Sequence, residues 1–140
     1  MAALQRAERI VTIHEHRVED LQKDLATANN HLSAMETELT DAEKAHQEAL
    51  DSPRPIATVE DLEVASGHLH VLQRAIDMAK RRVADAASAV EKQRQLLIEA
   101  QTELRKFELW RDRGLQQQEE EASRVERKLT DDLAARTLRR

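Results

Sequence analysis

Apolar residues recur along this chain at alternating intervals of three and four, first from Leu4 and again from Leu62. Such a 3.5-residue repeat, sustained over several heptads, predicts two α-helices that wind around each other as a left-handed coiled coil. The predicted seam positions on the first helix are Leu4, Ala7, Val11, His14, Val18, Leu21, Leu25, Ala28, Leu32, Met35, Leu39, Ala42, His46 and Ala49. Those on the second are Leu62, Ala65, Leu69, Leu72, Ile76, Ala79, Val83, Ala86, Val90, Gln93, Leu97, Ala100, Leu104 and Phe107.

The segment between the two repeats carries strong helix-breaking chemistry. Pro53 and Pro55 each remove an amide donor and disfavour helical geometry at the residue before them. Thr58 is a good N-cap, and Asp61 three residues later completes a loose capping box. We therefore predict one all-α domain over residues 1–140, a two-helix antiparallel coiled-coil hairpin. Helix one covers about 2–50, the loop 51–58, and a longer, overhanging helix two about 59–138.

The register of this hairpin follows from a short loop that brings Ala49 and Leu62 together. Position i of helix one then faces position 111 − i of helix two, so that Leu4 faces Phe107 and Ala28 faces Val83. Large residues repeatedly meet alanines in this register, which favours it by volume. The apolar repeat would stop after Phe107, where helix one has no residues left to pair.

Composition excludes several classes of protein. The chain has one Phe, one Trp and no Tyr, and Ala, Leu, Glu, Arg and Lys make up more than half of it, as is typical of coiled coils. A net charge of −5 disfavours nucleic acid and anionic membranes as partners. Cysteine is absent, and no apolar run is long enough for direct membrane insertion. We expect a soluble, cytoplasmic protein.

The sequence offers no catalytic, cofactor-binding or metal site. The histidines of His14-x-His16 and His68-x-His70 lie two residues apart, so they do not share a helix face, and the spacing of HExxH is absent. We interpret His14 and His46 as polar seam positions. Adjacent carboxylates such as Asp131 and Asp132 splay apart on a helix, and no phosphate-binding glycine loop is present. We therefore expect the protein not to be an enzyme.

Two features outside the seam are candidate partner-binding surfaces. A second stripe on helix two, about 110° from the seam, consists of Val64, His68, Val71, Ala75 and Met78. Three interpretations of this stripe are open: it contacts a partner, it is ordinary exposed surface, or Ile56 of the loop covers part of it. Residues 111–140 carry a net charge of +1 against −6 for residues 1–110, and have a narrow apolar stripe of Leu115, Ala122, Val125, Leu129 and Leu133. This end frays alone or docks into another protein, and we favour docking.

A third group of apolar residues falls off the seam toward the open end of the hairpin. Trp110 is expected to lie across Ala3 as a local cap. The other members of this group are Ile10, Ile13, Leu96 and Leu109.

Two segments carry a resemblance to a known family. Residues 126–134, ERKLTDDLA, place basic residues before an acidic pair and a small residue, and residues 68–76 read HLHVLQRAI. Together with the size of the chain, its early break and its longer second helix, they resemble the stalk proteins of type III secretion systems, the FliJ/YscO-type family.

The resemblance implies a non-catalytic stalk that inserts into a hexameric secretion ATPase, much as a central shaft does in a rotary ATPase. It further implies contact with the cytoplasmic domain of the export gate, at the base of a membrane-embedded apparatus, and handling of export chaperones. By analogy, the ATPase ring would meet Arg124, Arg127, Lys128, Asp131 and Asp132. Residues along the hairpin, where we place Val64, Val71 and Met78, would meet the gate or chaperones.

The alternative hypothesis is a self-assembling coiled-coil scaffold or tether. In that case the second stripe and the overhang would join copies of the chain, whereas the secretion stalk is expected to be a monomer.

Overall fold

The computed structural model describes residues 2–139, which form two α-helices. Helix α1 spans Ala2–Asp51, helix α2 spans Val59–Leu138, and residues 52–58 connect them. No strand occurs among the described residues. The predicted all-α helical hairpin with a longer second helix is confirmed.

Local hydrogen bonds fix the start of α2. The Thr58 Oγ1 accepts a hydrogen bond from the Asp61 amide at 3.1 Å. In return, the Asp61 carboxylate accepts hydrogen bonds from the amides of Thr58 at 3.2 Å and Ala57 at 3.1 Å. This is the capping box expected from the sequence, and it satisfies amide donors that the first turn of a helix leaves free. Helix α1 ends just before the prolines, where the Ser52 amide bonds the Glu48 carbonyl at 3.0 Å.

With one exception, the seam positions predicted from the hydrophobic repeat have side chains that are buried or partly buried. All fourteen predicted seam positions of α1 are at least partly buried, and so are those of α2 from Ala65 to Phe107. Val11 is the most deeply buried large side chain, at 1% exposure. The buried apolar core consists of Ala7, Val11, Val18, Leu21, Ile76, Ala79, Ala86, Val90 and Ala100. The exception on the predicted seam is Leu62, which is 52% exposed.

Packing divides the described chain into two compact units. The first joins the chain up to Asp20 with the chain from Ile98 onward, and the second is Leu21–Leu97. Each unit therefore contains one segment of α1 and one of α2. A single domain over the whole chain stays a prediction.

The predicted register is wrong by one heptad. In the first unit, a Cβ placed on Gly114 would lie 3.7 Å from Leu4 Cδ1. The His14 ring stacks on Phe107 with centroids 4.6 Å apart. In the second unit, Arg82 Nη1 lies 3.5 Å from Glu38 Oε2. Within each unit, position i of α1 therefore lies opposite a position near 118 − i of α2, rather than 111 − i.

The physical reason for the error is that side-chain volume does not distinguish these two registers. A shift of seven residues replaces one large partner of Ala28 by another, Val83 by Val90, because the alanines of both seams recur with the same heptad period. The observed register also carries the seam of α2 further than predicted. Arg111, Gly114 and Gln118 are all partly buried, so packing does not stop after Phe107.

The observed register predicts which cysteine pairs can form a crosslink. The chain has no native cysteine, so the double variant Ala28→Cys/Val90→Cys should form an intramolecular disulfide on mild oxidation. Mobility on a non-reducing gel measures it. The matched variant Ala28→Cys/Val83→Cys should stay reduced, and the opposite result for the two variants would restore the 111 − i register.

A polar seam residue predicts a stabilising substitution. Gln93 is partly buried, and its Oε1 atom is buried without a hydrogen-bond partner. Because an unsatisfied buried acceptor costs free energy, Gln93→Leu should raise the free energy of unfolding by about 1 kcal/mol in a urea titration. The control is Gln95→Leu, since Gln95 is exposed and donates to Glu91 at 3.1 Å. An equal or lower stability of Gln93→Leu would show that the amide is satisfied.

Candidate partner-binding surfaces

The C-terminal end of α2 has no helix packed against it. Every described residue after Gln118 is exposed, although α2 continues to Leu138. Val125, Leu129 and Leu133 are 54%, 58% and 63% exposed. Their spacing of four residues places them on one face of the helix, so α2 ends in an uncovered apolar stripe. We call residues 119–139 the overhang.

Three of the charged residues singled out in the sequence lie on the face of the overhang opposite the apolar stripe: Arg124, Arg127 and Asp131, at spacings of three and four. Lys128 lies beside them, and Asp132, about 100° around the helix from Asp131, borders the apolar stripe. All five are exposed. Arg124 and Arg127 line a shallow open groove of about 390 Å³ together with Glu119 and Glu120. The overhang is thus an amphipathic helix with one apolar and one mixed-charge face.

The second stripe is also exposed. Val64, Val71 and Met78 are 59%, 63% and 54% exposed, and their spacing of seven residues keeps them on one face of α2. His68 and Ala75, which lie between them in the stripe, are exposed as well. The structure therefore brings these three apolar residues to one surface of the second unit, as the sequence indicated. Whether a partner uses that surface stays a prediction.

A fourth surface was missed by the sequence analysis, which buried Leu62 against Ala49. Leu62 and Ile56 are about half exposed, at 52% and 54%. They line an open groove of about 290 Å³ with Pro53, Ala65 and Leu69. The groove also includes His68, so Ile56 lies near this one member of the second stripe, whereas Val64, Val71 and Met78 do not line the groove. We call this surface the loop groove.

Aromatic residues gather in the first unit, at the end of the seam away from the loop. Phe107 contacts His14 on one side and Trp110 edge-on at 6.3 Å between ring centroids. Trp110 is 48% exposed and lines a groove with Ala3 and Leu4, close to its expected place. Ile13 and Leu109 are exposed, whereas Ile10 and Leu96 are partly buried. These contacts account for the aromatic side chains as local packing.

The polar chemistry of the described residues does not form a site of its own. His14 and His46 are partly buried on the seam, as interpreted, and the other four histidines are exposed. Within residues 2–139, no three His, Asp or Glu side chains are grouped so that they could hold a metal ion. The same residues contain no helix both long and apolar enough to cross a bilayer. The functional candidates among the described residues are therefore the exposed surfaces described above.

Comparison with known proteins gives one match over nearly the whole chain. Residues 3–140 match the family model described as Flagellar FliJ protein. The chain shows no significant match to a curated protein or to a solved structure.

Exposure of the overhang predicts its local stability. A helix without tertiary packing is marginal in water, so backbone amides of residues 122–138 should exchange with solvent deuterium about 100-fold faster than those of residues 76–100. Hydrogen exchange read by mass spectrometry measures both segments in one sample. Equal protection of the two segments would show that the overhang packs against something in the free protein.

Proposed function

The chain belongs to the FliJ family of flagellar and type III export stalk proteins, and from this membership we propose that its overhang docks into a hexameric secretion ATPase. The family is a non-catalytic structural component of the export apparatus. The proposal concerns which surface of this chain meets which part of that apparatus.

The observation that carries the proposal is the uncovered end of α2. Seam positions of α2 from Ala65 to Gln118 are at least partly buried, whereas the overhang leaves Val125, Leu129 and Leu133 in contact with water. Burying such a stripe on a partner gains about 25 cal/mol per Å² of apolar area, which favours docking. The overhang therefore has the form of a helix that completes its packing in another protein.

The charged residues of the overhang suit a ring of equivalent subunits. Arg124, Arg127 and Lys128 are followed by Asp131 and Asp132, so both signs occur within about two turns. A mixed-charge face selects its partner by complementary charges and holds the docked helix in register. We infer that these five residues contact the ATPase and that the apolar stripe supplies most of the affinity.

A stalk that couples the ATPase to the export gate needs a second contact surface, and the second stripe is our candidate for it. Val64, Val71 and Met78 lie in the second unit, are all exposed and are not part of the overhang. We propose that this stripe contacts the cytoplasmic domain of the export gate and, in its absence, export chaperones. The protein would then act on the cytoplasmic side, at the base of the membrane-embedded apparatus.

Charge reversal tests the ATPase contact. In Arg127→Glu/Lys128→Glu, two exposed basic side chains become acidic, so complementary contacts turn repulsive and affinity for the ATPase should fall by more than about tenfold. Co-purification of the ATPase with tagged protein from the native cell measures the loss, and circular dichroism should show unchanged helicity.

The matched control is Lys80→Glu/Arg81→Glu, another adjacent and exposed basic pair of α2 that lies in the second unit. It makes the same change in net charge and should retain the ATPase. Retention of the ATPase by both double variants would discard the assignment of residues 127 and 128.

Self-association is the second candidate function, because an exposed apolar stripe also suits a second copy of the chain. The stalk proposal expects a monomer of 16.0 kDa at all concentrations in light scattering. A stable dimer that Leu129→Ser dissociates would favour the scaffold instead.

A further inference from the structure

The loop groove is an uncovered stretch of coiled-coil seam. In the observed register, the end of α1 lies level with about residue 67 of α2, because 51 and 67 sum to 118. The first two turns of α2 therefore carry seam residues that α1 does not reach. Leu62 is 52% exposed for this reason, while Ile76 and Ala79, where α1 is present, are 6% and 5% exposed.

The shape of this surface suits a helix. Leu62, Ala65 and Leu69 continue the same three-and-four spacing that packs against α1 further along α2. Ile56 and Pro53 of the loop and Ala49 near the end of α1 also line the groove. A seam of this kind accepts the apolar face of a helix in the knobs-into-holes manner of a coiled coil. At the adjoining ends of the two helices, Leu50 is 47% and Val59 is 73% exposed.

The charge around the groove indicates the chemistry of the occupant. Residues 48–63, which include the loop and the two helix ends beside the groove, contain five acidic side chains and one basic side chain, a net charge of −4, whereas the whole chain carries −5. All five acidic residues are exposed. Asp61 and Glu63 flank Leu62 at about 100° on either side of the helix, and Glu48 precedes the seam residue Ala49 on α1. These are the positions at which coiled coils choose a partner by charge.

We propose that the loop groove binds an amphipathic helix of a partner protein whose apolar face is flanked by Lys or Arg. The apolar seam supplies affinity, and the carboxylates supply selectivity and speed of association. Arg54 also lines the groove, and an acidic residue of the partner would pair with it. This pairing would fix the direction in which the partner helix binds. The residues that line the groove include His68 of the second stripe but none of Val64, Val71 and Met78 and none of the overhang, so this site adds to the proposed function and does not depend on it.

The test uses two synthetic peptides and the full-length chain. Both peptides are helical, about two heptads long, labelled with fluorescein, with Leu at the seam positions; one has Lys at all flanking positions and the other has Glu. Fluorescence anisotropy should show the Lys peptide binding more than about tenfold tighter than the Glu peptide. The difference should shrink as salt is raised, because exposed charges are screened.

Variants locate the site. Leu62→Ser should weaken the Lys peptide about tenfold, since an apolar contact at the centre of the groove is lost. Glu60→Lys/Glu63→Lys should reduce or reverse the preference for Lys over Glu. Ile13→Ser is the matched control, an exposed apolar residue outside the groove, and should bind like the parent chain. Circular dichroism verifies that each variant keeps its helices.

Three results would overturn the proposal. They are equal affinity for the two peptides, binding that Leu62→Ser does not alter, and a rise in molecular mass with concentration that Leu62→Ser abolishes. The last would assign the groove to a second copy of this chain.

Discussion

Packing of the α1 seam against the α2 seam is the interaction on which every other feature depends. The chain has little else with which to make a core, since its two large aromatic residues are partly exposed or only partly buried and its buried residues are small or aliphatic. Alanines on one helix facing larger residues on the other let the backbones approach closely. Side chains that the seam covers form the core, and side chains of α2 that it leaves uncovered are exposed to solvent and to partners.

The sequence was sufficient to locate the seam but not to set its register. Each heptad position of α1 is buried as the three-and-four spacing predicts, because side-chain direction on a helix follows from sequence position alone. Register needs a second kind of information. Ala28 meets a valine whether the helices are aligned at 111 − i or 118 − i, so volume leaves the choice open. The capping box at Thr58 and Asp61 fixes where α2 begins, but not how far it passes α1.

The one-heptad shift in register explains which surfaces could be predicted from the sequence and which could not. The stripe of Val64, Val71 and Met78 and the stripe of Val125, Leu129 and Leu133 depend on helical spacing, so the sequence revealed them. The start of the overhang depends on the register, and the shift moves it from residue 111 to residue 119. The loop groove depends on the register, so Leu62 was assigned to the interior. An available signal was the acidic excess of residues 48–63, because a tip with that charge and an apolar centre is typical of a binding surface. The family match supplies the biological setting of these surfaces.

Accessibility of a thiol at position 62 tests the register most directly. In Leu62→Cys, the account predicts reaction with a maleimide at the rate of an exposed reference, Leu138→Cys, whose native side chain is 87% exposed. Ala79→Cys, at a position 5% exposed, should react more than about tenfold more slowly. Protection of the thiol at position 62 equal to that at position 79 would contradict the account, since it would place Leu62 inside the seam.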